Sequence, residues 1–218
     1  MKTNYNNAQI EKLIKKHYAE IADLAPLSGG LVSQTFSFQY GDYRYIFQIG
    51  GSHEDYEKQQ YISRKFGMTI PVREVVGVHK TEDGVSYCFS KFIAGRKLFD
   101  LNDRERREIA EPVIEILLRM AEVEIPVGSG YGRFDANGNA PYKTWHDFVS
   151  VIYNDKVCDW SVLSLRNYSD TVIRKAIDEL QKNIRCAQID NPCLVNGDAG
   201  SYNIIAGSES DLVLAFTI

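Results

Sequence analysis

The sequence predicts an α+β protein of two lobes, strand-rich at the front and helical behind. Three observations predict it. Aromatic and β-branched runs split by turn signals fill the chain up to Gly95. Beyond Gly95 the apolar residues recur at three- and four-residue steps instead. The 218 residues, 44% hydrophobic and 25% charged, suffice for a sizeable core and are too apolar for a disordered chain. A strand-rich lobe over residues 1–93 and a helical lobe over 94–218 then meet at a hinge near Lys91 to Gly95. The ligand cleft of such a molecule belongs between its lobes.

The first element reads as an amphipathic helix. Ile10, Leu13, Ile14, Tyr18, Ile21 and Leu24 share one face, Glu11, Lys12, Lys15 and Lys16 the other, and Pro26 ends it. Ser28-Gly29-Gly30 follows, then strands Thr35 to Tyr40 and Tyr43 to Ile49, split by Gly41-Asp42 as in a tight hairpin. A charged helix runs from about His53 to Phe66 with Tyr61, Ile62 and Phe66 inward. Two further strands, Val72 to Val78 and Val85 to Phe92, turn at Glu82-Asp83-Gly84.

Asn102 with Glu105 three residues on has the layout of a capping box. The helix that it starts turns Ile109, Val113, Ile116, Leu117 and Met120 inward. A Gly/Asn-rich loop, Gly128 to Asn139, precedes a helix opened by Trp145 to Tyr153, in which Trp145 reads as a core anchor sooner than as a substrate platform. Ser169 caps another helix, striped with Val172, Ile173, Ala176, Ile177, Leu180 and Ile184. Leu194-Val195 reads as an apolar strand before the short loop Asn196 to Tyr202, and an apolar run from Leu212 to Ile218 closes the chain.

Composition narrows the function classes. The balance of 25 basic and 29 acidic side chains, net −4, argues against a nucleic-acid binder and suits a small cationic substrate. Apolar stretches are strand-sized and the polar N-terminus is no signal-peptide core, so no membrane role is expected. Cys88, Cys158, Cys186 and Cys193 form no C-x-x-C pair, which points to reduced thiols in a cytoplasm. His17, His53, His79 and His146 lack the spacing of zinc ligands.

The chemistry concentrates in Leu194-Val195-Asn196-Gly197-Asp198-Ala199-Gly200-Ser201-Tyr202-Asn203. An Asp followed five positions later by an Asn is the spacing of a kinase catalytic loop. There the Asp accepts the proton of the attacking hydroxyl, and the Asn holds a magnesium that bridges nucleotide phosphates. Small residues between them let both side chains face one site. On the residues alone, the same spacing also fits a solvated turn.

With its neighbours, this loop resembles that of the aminoglycoside phosphotransferase family, and above all of its hygromycin B kinases. Gly197-Asp198-Ala199-Gly200-Ser201-Tyr202-Asn203 matches the family's His-Gly-Asp-x-Gly-Ser-x-Asn apart from the leading residue. Ser129-Gly130-Tyr131-Gly132-Arg133-Phe134 and Tyr142-Lys143-Thr144-Trp145-His146-Asp147-Phe148 resemble the stretch before its second C-lobe helix. Leu27 to Phe38 resembles its nucleotide-covering hairpin. The resemblance implies a protein-kinase-like fold, ATP or GTP with magnesium as cofactors, and phosphoryl transfer to a hydroxyl of an aminocyclitol antibiotic such as hygromycin B.

Residue by residue, it implies that Asp198 is the catalytic base and Asn203 a magnesium ligand. Ser28, Gly29, Gly30 and Ser33 would cover the phosphates. Ser90, Lys91 and Phe92 would form the adenine-binding connector, and Gln48 stands at the inward strand position of the phosphate-binding cation. Three departures accompany these matches. Asn196 replaces the family's His, Gln48 supplies no charge, and the acidic partner on the following helix falls to Glu57 or Gln59. Downstream, the family has an Ile-Asp-Trp element whose Asp binds metal, where Leu212 to Ile218 places Phe216 or Thr217. The resemblance therefore implies a kinase whose helical lobe is cut short, and a non-catalytic nucleotide-binding or interaction module, or a kinase fragment, stands as the alternative reading.

Overall fold

The computed structural model describes residues 3–27, 33–154, 156–160, 162, 169–186, 189 and 191–207. The chain divides into two compact units, Met1–Glu124 with Cys193–Ile218, and Ile125–Pro192.

In the first unit, helix α1 (Asn7–Lys15) leads into strand β1 (Ala22–Leu27), then β2 (Gln34–Tyr40), β3 (Tyr43–Ile49), helix α2 (His53–Phe66), β4 (Val75–Lys80) and β5 (Ser86–Lys91). The five strands form one antiparallel sheet in the order β1-β2-β3-β5-β4. The predicted hairpin is present: Tyr40 pairs with Tyr43, and Gly41 takes the positive φ of 57° that the tight turn needs.

The period-two alternation of the strands sorts the sheet's two faces. Phe36, Phe38, Phe47, Ile49, Tyr87 and Phe89 point to one face and close a core with Ile10 and Ile14 of α1. Phe38, Phe47 and Phe89 are almost fully buried, each worth about 1.5–3 kcal/mol of apolar burial. The other face carries Cys88 and Val75 against Tyr56 of α2. Gln48 falls between Phe47 and Ile49, on this second face, where its ladder partners are Thr35 and Cys88.

The expectation of one helix as far as Leu24 fails. The helix ends at Lys15; Leu24 joins the same core from β1, and Ile21 from the position just before that strand. The free edge of β2 offers ladder hydrogen bonds that outweigh the helical period there. Pro26 is tolerated in β1 because an outermost strand can spare an N–H. Helix α1 begins with a capping box, Asn6 with Gln9.

After β5 the chain forms the short strand β6 (Arg96–Lys97), a 3₁₀ turn at Leu98–Asp100, and helices α3 (Asp103–Glu108) and α4 (Ala110–Glu122). The capping box of Asn102 and Glu105 is made in both directions. The single helix expected after it is two, broken at Ile109, whose ψ of 0° leaves helical geometry. Ile116 and Met120 are buried as expected, while Leu117 is exposed.

In the second unit, Tyr131 and Tyr142 bridge across the Gly/Asn-rich loop. Thr144 caps helix α5 (Trp145–Val149) by accepting from Asp147 N at 3.0 Å. The half-buried Trp145 ring meets Phe148 at 5.3 Å. Helix α6 (Asp170–Asn183) has Ser169 at its N-cap, yet that side chain makes no capping hydrogen bond. Its expected apolar stripe is only partly covered. Ile184 is buried and Ile173 and Ile177 half-buried, but Val172 and Leu180 are exposed, because α6 packs on little beyond the turns at Ser150–Tyr153 and Ile184–Cys186.

Candidate active site

The loop 196–203 belongs to the first unit, and its hydrogen bonds show why it folds tightly. Asn196 Oδ1 accepts from Asp198 N at 2.8 Å, an Asx turn that reverses the chain across Gly197. Asn203 Nδ2 donates to Asp198 O at 2.9 Å, and Asn203 N donates to Gly200 O at 2.9 Å. The two residues singled out by their spacing are thus joined directly. The Asp198 side chain is exposed, and its backbone rather than its carboxylate is what fixes it. Leu194 is buried, but no strand forms over Leu194-Val195. The expected apolar strand is an irregular segment with Val195 exposed.

The loop is clamped from behind. Leu98 N donates to Ile204 O at 2.8 Å and Phe99 N to Ser201 O at 2.9 Å, while the rings of Phe99 and Tyr202 stack at 4.1 Å. Strand β7 (Ile205–Ala206) pairs antiparallel with β6. Gly95, at φ 153°, passes so close to Ala206 O that no side chain fits there.

The connector residues lie at the end of β5. Ser90 is buried between Ile46 and Val75. Lys91 is exposed and pairs with Glu74 at 2.7 Å; that contact holds its ammonium above the usual lysine range. The amides of Lys91 and Phe92 are already engaged, donating to Glu74 O at 2.9 Å and Arg44 O at 3.0 Å. The Arg44 guanidinium lies over the Phe92 ring at 4.9 Å.

The third group surrounds Gln48. Its Oε1 accepts from Arg73 Nη2 at 2.7 Å, and the same nitrogen donates to Gln59 Oε1 at 2.8 Å. Gln59 is therefore the helix residue that reaches towards Gln48, while Glu57 turns to His53 at 3.4 Å. Tyr56 adjoins them: its hydroxyl donates to Gly50 O and shares a hydrogen bond with Ser33, so one nucleotide-hairpin candidate touches this group. Burial pushes the Tyr56 hydroxyl far above its ordinary value and raises the Cys88 thiol to about 12. Arg73 is the participant that sequence reasoning missed. It lies in the irregular stretch before β4, and nothing in the local pattern marks it.

Ser28, Gly29 and Gly30 lie outside the described residues, as do Phe216 and Thr217 and the run Leu212 to Ile218. Among the described residues, no cluster of three His, Cys, Asp or Glu side chains gathers to hold a metal, and no helix is long and apolar enough to cross a membrane. All four cysteines are free thiols, Cys88 alone being buried.

No family model matches the sequence. The chain is 29% identical over 201 residues to hygromycin-B 4-O-kinase of Escherichia coli; the match takes in 90% of this chain and 57% of that kinase's length. The structure superposes on aminoglycoside phosphotransferase APH(4)-Ia with a TM-score of 0.83 at 28% identity, covering 97% of this chain and 70% of that one. A thermostable mutant of the same protein, in ternary complex with AMP-PNP and hygromycin B, gives a TM-score of 0.81 at 28% identity, over 95% and 69%. The GDP complex of aminoglycoside 2'-phosphotransferase-IIIa, at 12% identity and a TM-score of 0.68, shares the fold alone. The architecture is therefore the α+β, kinase-like fold of the aminoglycoside phosphotransferases, as the resemblance of the loop implies.

Proposed function

We propose, from a chain akin in sequence and fold to the hygromycin-type aminoglycoside phosphotransferases, that this protein transfers the γ-phosphoryl group of ATP to a hydroxyl of an aminoglycoside such as hygromycin B. The observation that carries the reading is the bonded pair Asp198 and Asn203 in a clamped loop. The exposed Asp198 carboxylate accepts the proton of the attacking hydroxyl. Asn203, its amide nitrogen directed to Asp198 O, offers its amide oxygen to a magnesium ion. A magnesium ion held there would supply positive charge to offset what develops on the phosphoryl group.

On the same reading residues 28–33 cover the phosphates with backbone N–H groups. The connector Ser90, Lys91 and Phe92 meets the adenine edge through carbonyl oxygens, since the Lys91 and Phe92 amides are occupied. Asn196 does by its turn what the family's His does by support: it holds the chain that presents Asp198. The division into a nucleotide-binding lobe over 1–93 and a helical lobe over 94–218 is part of this proposal. So is a cytoplasmic location, where both ATP and an imported antibiotic would be met.

Two measurements test the reading on this chain. Magnesium-ATP should protect amides over residues 33–36 and 89–95 from hydrogen exchange, and hygromycin B should stimulate ADP release. Exchange unchanged at saturating nucleotide would remove the connector and the hairpin from the site. Protection without any hygromycin-dependent ADP release would favour the non-catalytic, nucleotide-binding alternative.

A further inference from the structure

We infer that Arg73 is the cation that meets the nucleotide phosphates in this protein, held in place by Gln48 and Gln59. In the usual kinase arrangement a lysine on the third strand performs this task and is fixed by a glutamate of the next helix. Both positions here carry neutral amides, at Gln48 and Gln59, and the guanidinium sits between them at 2.7 and 2.8 Å. The charge has moved from the strand to the stretch before β4, while the strand and helix still aim it. The inference rests on the proposed phosphoryl transfer.

The surroundings leave this cation without a counter-ion. No carboxylate pairs with Arg73 among the described residues, and its Nε is buried with no hydrogen-bond partner there. The two groups beside it that could carry negative charge do not. The Cys88 thiol, raised to about 12, and the Tyr56 hydroxyl, also raised by burial, are both neutral near pH 7. Desolvation by burial pushes the Arg73 guanidinium below its ordinary value, but a guanidinium starts so high that it stays charged.

A half-buried charge whose Nε is fully buried and that only neutral dipoles hold is costly, and an arriving anion relieves the cost. The bookkeeping of charge agrees: a Lys–Glu pair sums to zero, whereas Gln48, Gln59 and Arg73 sum to one positive charge. The flat fork of an arginine can also donate to two amides from one nitrogen and keep other N–H groups for phosphate oxygens.

The test is titration of the whole chain with ATP, ADP and adenosine, each with magnesium, followed by calorimetry and thermal melting. Gln59→Glu is the decisive variant, because it keeps the side-chain shape and gives Arg73 a carboxylate. It should weaken ATP and ADP binding about tenfold, leave adenosine within about twofold, and raise the melting temperature. Arg73→Gln should weaken ATP on the order of ten- to a hundredfold with adenosine spared, and adding Gln48→Lys to it should restore ATP affinity to within about threefold. A merely structural Arg73 gives other results: a more stable Gln59→Glu with unaltered ATP affinity, or ATP and adenosine losing affinity together in Arg73→Gln. Either outcome overturns the inference. If the unaltered chain binds none of the three ligands, the proposed function itself falls and this inference falls with it; if it binds ATP normally and the variants do too, only this inference falls.

Discussion

Asn196 and Asp198 are bound side chain to backbone, Oδ1 to N at 2.8 Å, so the residue before Gly197 sets the direction in which the carboxylate two positions later is shown. The Nδ2 of the same Asn196 is buried and finds no partner among the described residues, so its oxygen is the end that works. Asn196→Ala should cost about 1 kcal/mol of stability, the worth of one hydrogen bond. On the proposed function, hygromycin-dependent ADP release should fall on the order of tenfold or more, because a loosened turn misplaces Asp198. Thermal melting and steady-state kinetics on the variant check both figures.

Asp198→Asn separates chemistry from structure. The bonds that hold position 198 run through its N–H and C=O, which the substitution keeps. The melting temperature should stay within about 1 °C, since exposed surface changes rarely matter. On the proposed function, turnover should drop on the order of a hundredfold to ten-thousandfold, because the substitution removes the assigned general base. Normal turnover by this variant would show that another group accepts the proton.

Gly95→Ala should damage the loop from a distance. A methyl group at a φ of 153° is strained, and it would also run into Ala206 O and the Ile205 side chain. About 1–3 kcal/mol of stability should be lost. Hydrogen exchange of Leu98 and Phe99, whose amides bond Ile204 O and Ser201 O, should speed up more than that of the sheet amides of β3.

Acid should weaken the N-terminal sheet through two histidines. His17 and His79 approach at 4.1 Å between ring centroids, and His17 Nε2 lies 2.9 Å from the Tyr87 hydroxyl. Burial first, then Lys16, lowers His17; burial first, then His17 and His53, lowers His79. The folded state thus prefers neutral rings, while the unfolded chain takes up protons from about pH 6.5 downwards. Their contribution is complete above that value and is lost as pH falls through the depressed folded values. Melting curves between about pH 7.5 and 5 should show the decline, and His79→Gln should flatten it. An equal slope in the variant would assign the decline to other groups.

Much of this was legible in the residues because local pattern and tertiary structure agree. The hairpin at Gly41-Asp42, helix α2 and the capping box at Asn102 all follow from turn chemistry, period and caps. The Asp198–Asn203 spacing found the loop for the same reason: a five-residue span is closed by its own hydrogen bonds. The failures share an opposite cause. Ile21 and Leu24 fit a helical stripe, but a vacant strand edge claimed Leu24 and left Ile21 just outside the strand. Arg73 has no signal of its own, since its role comes from Gln48 and Gln59, which lie 25 and 14 residues away in sequence. A replaced lysine could be read from the strand; the side chain that replaced its charge could not.

The ladder of β6 with β7 ties Gly95 and the residues after the connector to those after Asn203. On the proposed function, the stretch that grips the purine and the stretch that presents the base are two ends of one short lever. A drift in purine preference through changes near Gly95 would then disturb turnover as well. On that reading the two ends are tuned together, and Gly95, with no room for a side chain, is the position between them least free to change.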